Sequence, residues 1–179
     1  MESKEKALRR INSYSGVVVD VTMDQVELQD GSRSFREVVH HPGGVAVLPV
    51  DSEGFAWCVR QFRYPFAAEL LEIPAGKLEK GEEPFPAAQR ELSEETGLTA
   101  ARWLDLGEIY TSPGYSTEVL HLYLALELSA GDAHPDEGEF LSAVRLPLEE
   151  LHGKVLSGEI RDGKTVVAVL KTMEYLRKA

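Results

Sequence analysis

Glu91 stands three residues before Glu94 and four before Glu95, within the run RELSEETGL at Arg90 to Leu98. On a helix, that spacing crowds the three carboxylates onto one side. Each like-charged pair costs about 0.2 to 0.5 kcal/mol in an isolated helix, and Arg90, one turn before Glu94, relieves only part of it. Hard divalent cations such as Mg²⁺ prefer carboxylate oxygens, and one face of a rigid helix offers several at nearly fixed positions. Metal-assisted chemistry is therefore weighed here against a solvated acidic face, which is all that most charge runs are.

The flanks decide between them. Gly76 is followed by five residues, then Glu82, then seven residues, then Arg90-Glu91-Leu92-Ser93-Glu94-Glu95-Thr96-Gly97-Leu98. For this composition, a chance match to seven fixed residue types and two aliphatic positions is on the order of one in a million. Gly97 permits the left-handed residue that commonly ends a helix, so a loop from Gly76 and a helix to Thr96 would form one platform.

Other elements must hold that platform. Proline in the first turn and Gly97 at the end predict a helix over Pro86 to Thr96. ELLEIP, just before the loop, reads as a short strand. Val45 to Val50 and Phe55 to Phe62, joined by the polar turn DSEG, predict a hairpin of the main sheet. Further strands are expected at Trp103 to Tyr110, Glu118 to Leu126 and Phe140 to Leu146, and two helices close the chain. In the last helix Val166, Val169, Leu170, Met173 and Leu176 lie along one stripe and are expected to face the core. Upstream, Tyr14 to Thr22 and Gln25 to Leu28 read as strands, and QDGS is a turn into a third, SFREVVHH. The strand and helix mixture predicts a layered α/β sandwich. Residues 1–41 are expected to form a small N-terminal antiparallel β subdomain, and residues 42–179 the main domain.

Composition narrows the partners. The chain has 179 residues, 43% of them hydrophobic, with thirty acidic and nineteen basic side chains and a formal charge of −11. Such a charge repels a nucleic-acid polymer. The single cysteine, Cys58, excludes an intramolecular disulfide and a Cys-based metal centre. No apolar run approaches a signal peptide or a membrane span, so a cytoplasmic protein without membrane attachment is expected.

The pattern from Gly76 to Leu98 resembles the Nudix box in full, and the resemblance extends over almost the whole chain. It implies a Nudix-type α/β/α sandwich with a mixed sheet and a hydrolase of nucleoside diphosphates linked to another group. It further implies that Glu91 and Glu95, with the backbone carbonyl of Ala75 and a further contact from Glu94, hold Mg²⁺, with Mn²⁺ a possible substitute. Arg90 and Glu82 fit supporting roles, in which the guanidinium fork fixes the loop against the helix.

Outside the box, the sequence is similar to the ADP-ribose pyrophosphatase subgroup. Pro113, with Gly114, falls sixteen residues beyond Gly97, an offset the subgroup shares, although Pro-Gly alone is only a turn. VRQFRYP supplies Arg63 and Arg60 for the substrate diphosphate or terminal ribose, or for ordinary ion pairs. In HPDEGEF the subgroup implies a loop glutamate as the base that accepts the water proton; Glu139 aligns best and Glu137 is its rival. Some family members place that base in the box, which keeps Glu94 and Glu95 in contention. The subgroup also implies a homodimer whose N-terminal sheet reaches the partner's adenine, with Phe35, Arg36 and Glu37 as the contacts; Phe35 could equally pack on its own hairpin. The expected reaction cuts ADP-ribose to AMP and ribose 5-phosphate. Alternatives are GDP-mannose, another nucleotide sugar or a nucleoside diphosphate derivative, and a non-catalytic ADP-ribose-sensing module.

Overall fold

The computed structural model describes residues 4–131 and 140–178. The chain divides into two compact units. One comprises the residues up to Gly43 together with Tyr110–Val119, and the other Gly44–Ile109 together with the residues from Leu120 onward.

In the first unit, β1 (Lys6–Ser15), β2 (Asp20–Glu27) and β3 (Arg33–His40) form an antiparallel sheet in that order. The strand expected over Tyr14 to Thr22 is broken at residues 16–19 by a reversal between β1 and β2, closed by Gly16 N–H donating to the Val19 carbonyl at 2.9 Å. The β-branched residues that suggested a strand, Val17 and Val18, are exposed in the turn. The second turn is as expected: Gly31 has φ 81° and its N–H reaches the Leu28 carbonyl at 3.0 Å. The segment around Tyr115 edges onto β3, with Val39 N–H donating to the Tyr115 carbonyl at 2.7 Å.

The second unit centres on β4 (Gly44–Pro49), which pairs antiparallel with β7 (Ala75–Lys77) and parallel with β9 (Val119–Ala130); β8 (Leu98–Tyr110) completes the sheet. Every residue of β4 is buried. Val45 and Val47 pack with Ala87, Ala88 and Leu92 of α1 (Pro84–Thr96). Ala46 and Leu48 face the other way, toward Leu151 and Val155 of α2 (Leu148–Ser157) and Ala168 and Val169 of α3 (Gly163–Lys178). Alternation along one strand thus fills both cores of an α/β/α sandwich.

Two expectations need correction. β4 and β5 (Phe55–Arg63) are not a hairpin of one sheet. β5 lies between β10 (Leu141–Pro147) and β6 (Ala68–Glu72), and its backbone pairing toward β4 is the isolated bridge Val50↔Ala56 just past the end of that strand. Both edges of β4 are already taken by β7 and β9, which leaves β5 no ladder to join. In α3 Val166, Val169 and Met173 pack on the core as expected, together with Thr165, Ala168 and Thr172, whereas Leu170 and Leu176 are exposed. The helix phase is set at its start: Asp162 caps the Thr165 N–H at 3.1 Å, and the Thr165 hydroxyl accepts from Ile73 N–H at 3.0 Å. No helix among the described residues is long and apolar enough to cross a membrane.

Candidate active site

The loop–helix platform is assembled as the spacing requires. α1 starts two residues earlier than expected, with proline in its first turn, and ends at Gly97, whose φ is 70° and whose N–H donates to the Ser93 carbonyl at 2.8 Å. Its N-terminal end is anchored by an aromatic cluster in which Phe85 meets Trp103 edge-on, with ring centroids 5.4 Å apart, and Trp103 meets Tyr123 at 6.3 Å. Glu91 and Glu95 come from the buried face of this helix.

Arg90 organises the acids around it. Its Nε and Nη2 donate to the two carboxylate oxygens of Glu82 at 2.9 and 3.0 Å, while Nη1 donates to Glu91 Oε1 and Glu94 Oε2, each at 2.8 Å. The Glu82 hydrogen bond holds the guanidinium charged well beyond its ordinary range, with Glu91 and Glu94 adding to the effect against the opposing cost of burial. In return Arg90 holds the Glu82 carboxyl below its usual range. Glu82 also accepts from Glu79 N–H at 3.0 Å, so the loop is tied to the helix through one side chain. Repulsion among the box carboxylates is thus relieved within the fold.

The other end of the loop is equally constrained. Ala75 N–H donates to Glu95 Oε2 at 3.0 Å, and the Pro74 carbonyl accepts from Val47 N–H at 2.9 Å. Gly76 has a specific reason to be glycine: a Cβ there would lie 1.9 Å from Glu91 Oε1. The backbone therefore runs directly beneath a carboxylate. Hard oxygens from Glu91, Glu95, Glu94 and the adjacent backbone are a donor set suited to Mg²⁺ or Mn²⁺. Among the described residues no three Asp, Glu, His or Cys side chains already converge as a metal cage. Carbonyl and water ligands would therefore have to complete any coordination shell, as is usual for Mg²⁺.

Arg63 and Arg60 part company. Successive strand residues face opposite ways, and on β5 Trp57 packs with the α1 core whereas Ala56 and Cys58 pack with the α2–α3 core. Arg63 shares the parity of Trp57. Its Nε and Nη2 donate to the carboxylate of Glu72 at 2.9 and 2.8 Å. Arg60 has the opposite parity and lines a cleft with Leu71, Val144, Lys154 and Arg161, so it is not carried into the site. Glu72 is 1% exposed and also accepts from Lys164 Nζ. Burial opposes its charge, but Arg63 and Lys164 outweigh burial and hold the carboxyl at about 2. Lys164, Asp162 and Thr165 were missed in the sequence. The D-x-K-T run at residues 162–165 reads as a helix cap, and nothing in it points to a partner 92 positions upstream. Cys58 is buried, and burial pushes its thiol up to about 12, which suits packing and not nucleophilic work.

In the first unit, Phe35 and Glu37 point to one face of β3 and Arg36 to the other. Glu37 lines a cavity of about 380 Å³ with Tyr14, Met23, Val39 and Tyr115, and Phe35 is exposed. Arg36 is engaged by Glu5, Nε to Oε2 at 2.9 Å, and by Ser34. Phe35 and Glu37 thus share a face of β3 that Arg36 does not. Pro113 and Gly114 lie in an exposed turn closed by Tyr115 N–H to the Ser112 carbonyl at 3.1 Å. Glu137 and Glu139 lie outside the described residues.

Comparison with known proteins agrees with this geometry. Residues 40–168 match the model of the NUDIX domain. The chain is 46% identical to the ADP-ribose pyrophosphatase of Bacillus subtilis (strain 168), over 93% of this chain and 91% of that protein. It is 44% identical to the methanol dehydrogenase activator of Bacillus methanolicus, over 97% of this chain and 96% of that one. A solved structure described as an ADP compounds hydrolase superposes with a TM-score of 0.86 at 23% identity, covering 98% of this chain and 95% of that chain, a likeness of fold. The domain match spans most of the chain and includes the whole Gly76–Leu98 platform, and on that ground this chain belongs to the NUDIX family.

Proposed function

We propose that this protein is a divalent-cation-dependent ADP-ribose diphosphatase that hydrolyses ADP-ribose to AMP and ribose 5-phosphate. The observation that carries this reading is the 46% identity, over 93% of the chain, to a protein named ADP-ribose pyrophosphatase. The assembled box supports it, because a degenerate platform would be expected of a module that only senses the ligand.

Glu91, Glu95 and the Ala75 carbonyl would hold Mg²⁺, or Mn²⁺ in its place, with Glu94 adjacent. When bound, such a cation supplies positive charge against the diphosphate oxygens and acidifies the attacking water. The protein's own groups do the rest. Arg63, fixed along one edge by Glu72, offers its remaining N–H groups to the diphosphate. Arg90 and Glu82 keep the loop and helix in register while the charge around them changes. Water attacks one phosphorus, the anhydride P–O bond breaks, and a glutamate accepts the water proton; Glu139 is the first choice, before Glu137 and the box residues Glu94 and Glu95. Phe35 and Glu37 share a face suited to stacking on adenine and accepting from its amino group across a homodimer. The cytoplasm is the proposed compartment.

The deciding experiment is a panel of ADP-ribose, GDP-mannose, NADH and diadenosine polyphosphates with Mg²⁺ or Mn²⁺. The highest kcat/KM is expected for ADP-ribose, with AMP as product; preference for GDP-mannose would reassign the substrate, and binding without AMP release would favour a sensor. Full activity in a sedimenting monomer would remove the shared adenine site. The 44% identity to the methanol dehydrogenase activator supports a second reading, in which a dehydrogenase is the protein's target. Activation of methanol dehydrogenase by wild type and equally by Glu95→Gln would separate that role from hydrolysis.

A further inference from the structure

The first turn of α3 is bolted to the strand that leads into the box. Lys164 Nζ donates to Glu72 and, at 3.0 Å, to Asp162 Oδ1. Asp162 is itself the cap of the helix, and Thr165, the residue after Lys164, accepts the Ile73 N–H. Glu72 and Ile73 are followed directly by Pro74 and Ala75, whose hydrogen bonds reach β4 and Glu95.

Charge makes this more than a brace. Glu72 is one carboxylate shared by two cations, Arg63 and Lys164, and Asp162 balances the second of them. The four groups sum to zero. The side chain of Arg63 is 37% exposed, against 10% for Lys164 and 2% for Glu72, so Arg63 is the member through which the cluster meets a ligand. Glu95 lies near enough to act on Arg63 by charge. Without Lys164 the cluster would carry a net negative charge beside a box carboxylate, and Glu72 would have Arg63 alone as counter-ion. A dianionic diphosphate would then meet a guanidinium already neutralised by its neighbours.

We infer that Lys164 is a positioning residue for diphosphate binding, acting through Glu72 to keep Arg63 oriented and electrically available. The inference rests on the hydrolase reading above for the role of Arg63.

A double-mutant cycle tests it, using Lys164→Met, Arg63→Met, the double variant and Lys164→Arg in the full-length chain. Steady-state kinetics on ADP-ribose give KM and kcat separately, and calorimetric titration of ADP-ribose in EDTA gives Kd without turnover. Lys164→Met is expected to lower kcat/KM about tenfold, chiefly through KM, with Kd weakened in parallel. In the Arg63→Met background the same change should add less than about twofold, because the two residues act as one unit. Lys164→Arg, which can still pair with both carboxylates, should restore most of the loss. An equal loss in both backgrounds, a loss confined to kcat with KM and Kd unchanged, or no loss at all would overturn the inference, with thermal unfolding confirming that each variant is folded. If wild type binds ADP-ribose without releasing AMP, the hydrolase reading falls while the Kd cycle still decides the role of Lys164. If wild type does not bind ADP-ribose, both fall.

Discussion

Glu82 grips Arg90 at two points, accepting Nε at 2.9 Å and Nη2 at 3.0 Å, and leaves Nη1 to reach Glu91 and Glu94. One planar cation thereby serves three carboxylates. A lysine has the charge but not the fork, so it can satisfy one of these partners well and not all three. Arg90→Lys is expected to cost about 1 to 3 kcal/mol of stability, as the carboxylates lose charged donors, and to lower kcat about 10- to 100-fold through a loosened platform. Urea unfolding and AMP release measure the two. Wild-type kcat in a folded Arg90→Lys protein would show that the fork is dispensable.

Gly76 provides a sharper probe of the carboxylate arrangement. Its missing Cβ is the space that the Glu91 carboxylate occupies, 1.9 Å from where that atom would lie. The obstructing atoms are the far end of a flexible side chain, so Gly76→Ala should still fold, with Glu91 displaced. The loss is expected in cation binding: Mn²⁺ affinity, read by electron paramagnetic resonance, should weaken about tenfold, as it does when the supports of metal ligands are disturbed. An unchanged Mn²⁺ affinity would remove Glu91 from the ligand set.

The box was legible in the sequence because its constraints are local. Gly76, Glu82, Arg90 and Gly97 all act within the single stretch from Gly76 to Leu98, so the pattern and the resemblance it carries lie in one piece of chain. The partners of Glu72 were not legible, because Lys164 reaches it across 92 positions and only the packing of α3 brings them together. Strand pairing failed for a related reason. Val45–Val50 and Phe55–Phe62 have the pattern of a hairpin, but which strands occupy the edges of β4 is decided by β7 and β9, which lie far along the chain. The stripe on α3 was partly legible: Val166, Val169 and Met173 do pack on the core, but the buried face extends to Thr165, which is hydrogen-bonded to Ile73, and leaves Leu170 and Leu176 exposed.

Glu72 gives the protein an acid-sensitive contribution of predictable sign. Its carboxyl lies at about 2 in the folded state against an ordinary 4.5. A lowered value means that the folded state favours the charged form. The stabilisation is therefore complete above about pH 5 and is lost as pH falls through the window from about 4.5 to about 2. A shift of this size corresponds to about 3 kcal/mol. Glu72→Gln should unfold more readily at pH 7 and show a flatter fall in stability between pH 5 and pH 2.5 than wild type. Parallel curves for the two proteins would mean that Arg63 and Lys164 do not hold Glu72 as described.

The base should separate from the ligands by what its loss leaves intact. A carboxylate that accepts a proton from water activated by a cation needs no raised pKa, so either Glu139 or Glu137 is chemically competent, and the choice is one of reach. Glu139→Gln keeps the size of the side chain and removes its basicity. It is expected to lower kcat about 10²- to 10⁴-fold, the usual contribution of a positioned base, while leaving Mn²⁺ affinity at the wild-type value. Glu137→Gln should stay within about threefold of wild type in kcat, since a carboxylate without a catalytic role tolerates neutralisation. A reversed ranking would move the role to Glu137. Near-wild-type kcat in both variants would place it on Glu94 or Glu95, where loss of the base and loss of cation binding would then appear together, because those carboxylates belong to the helix that carries the proposed ligands.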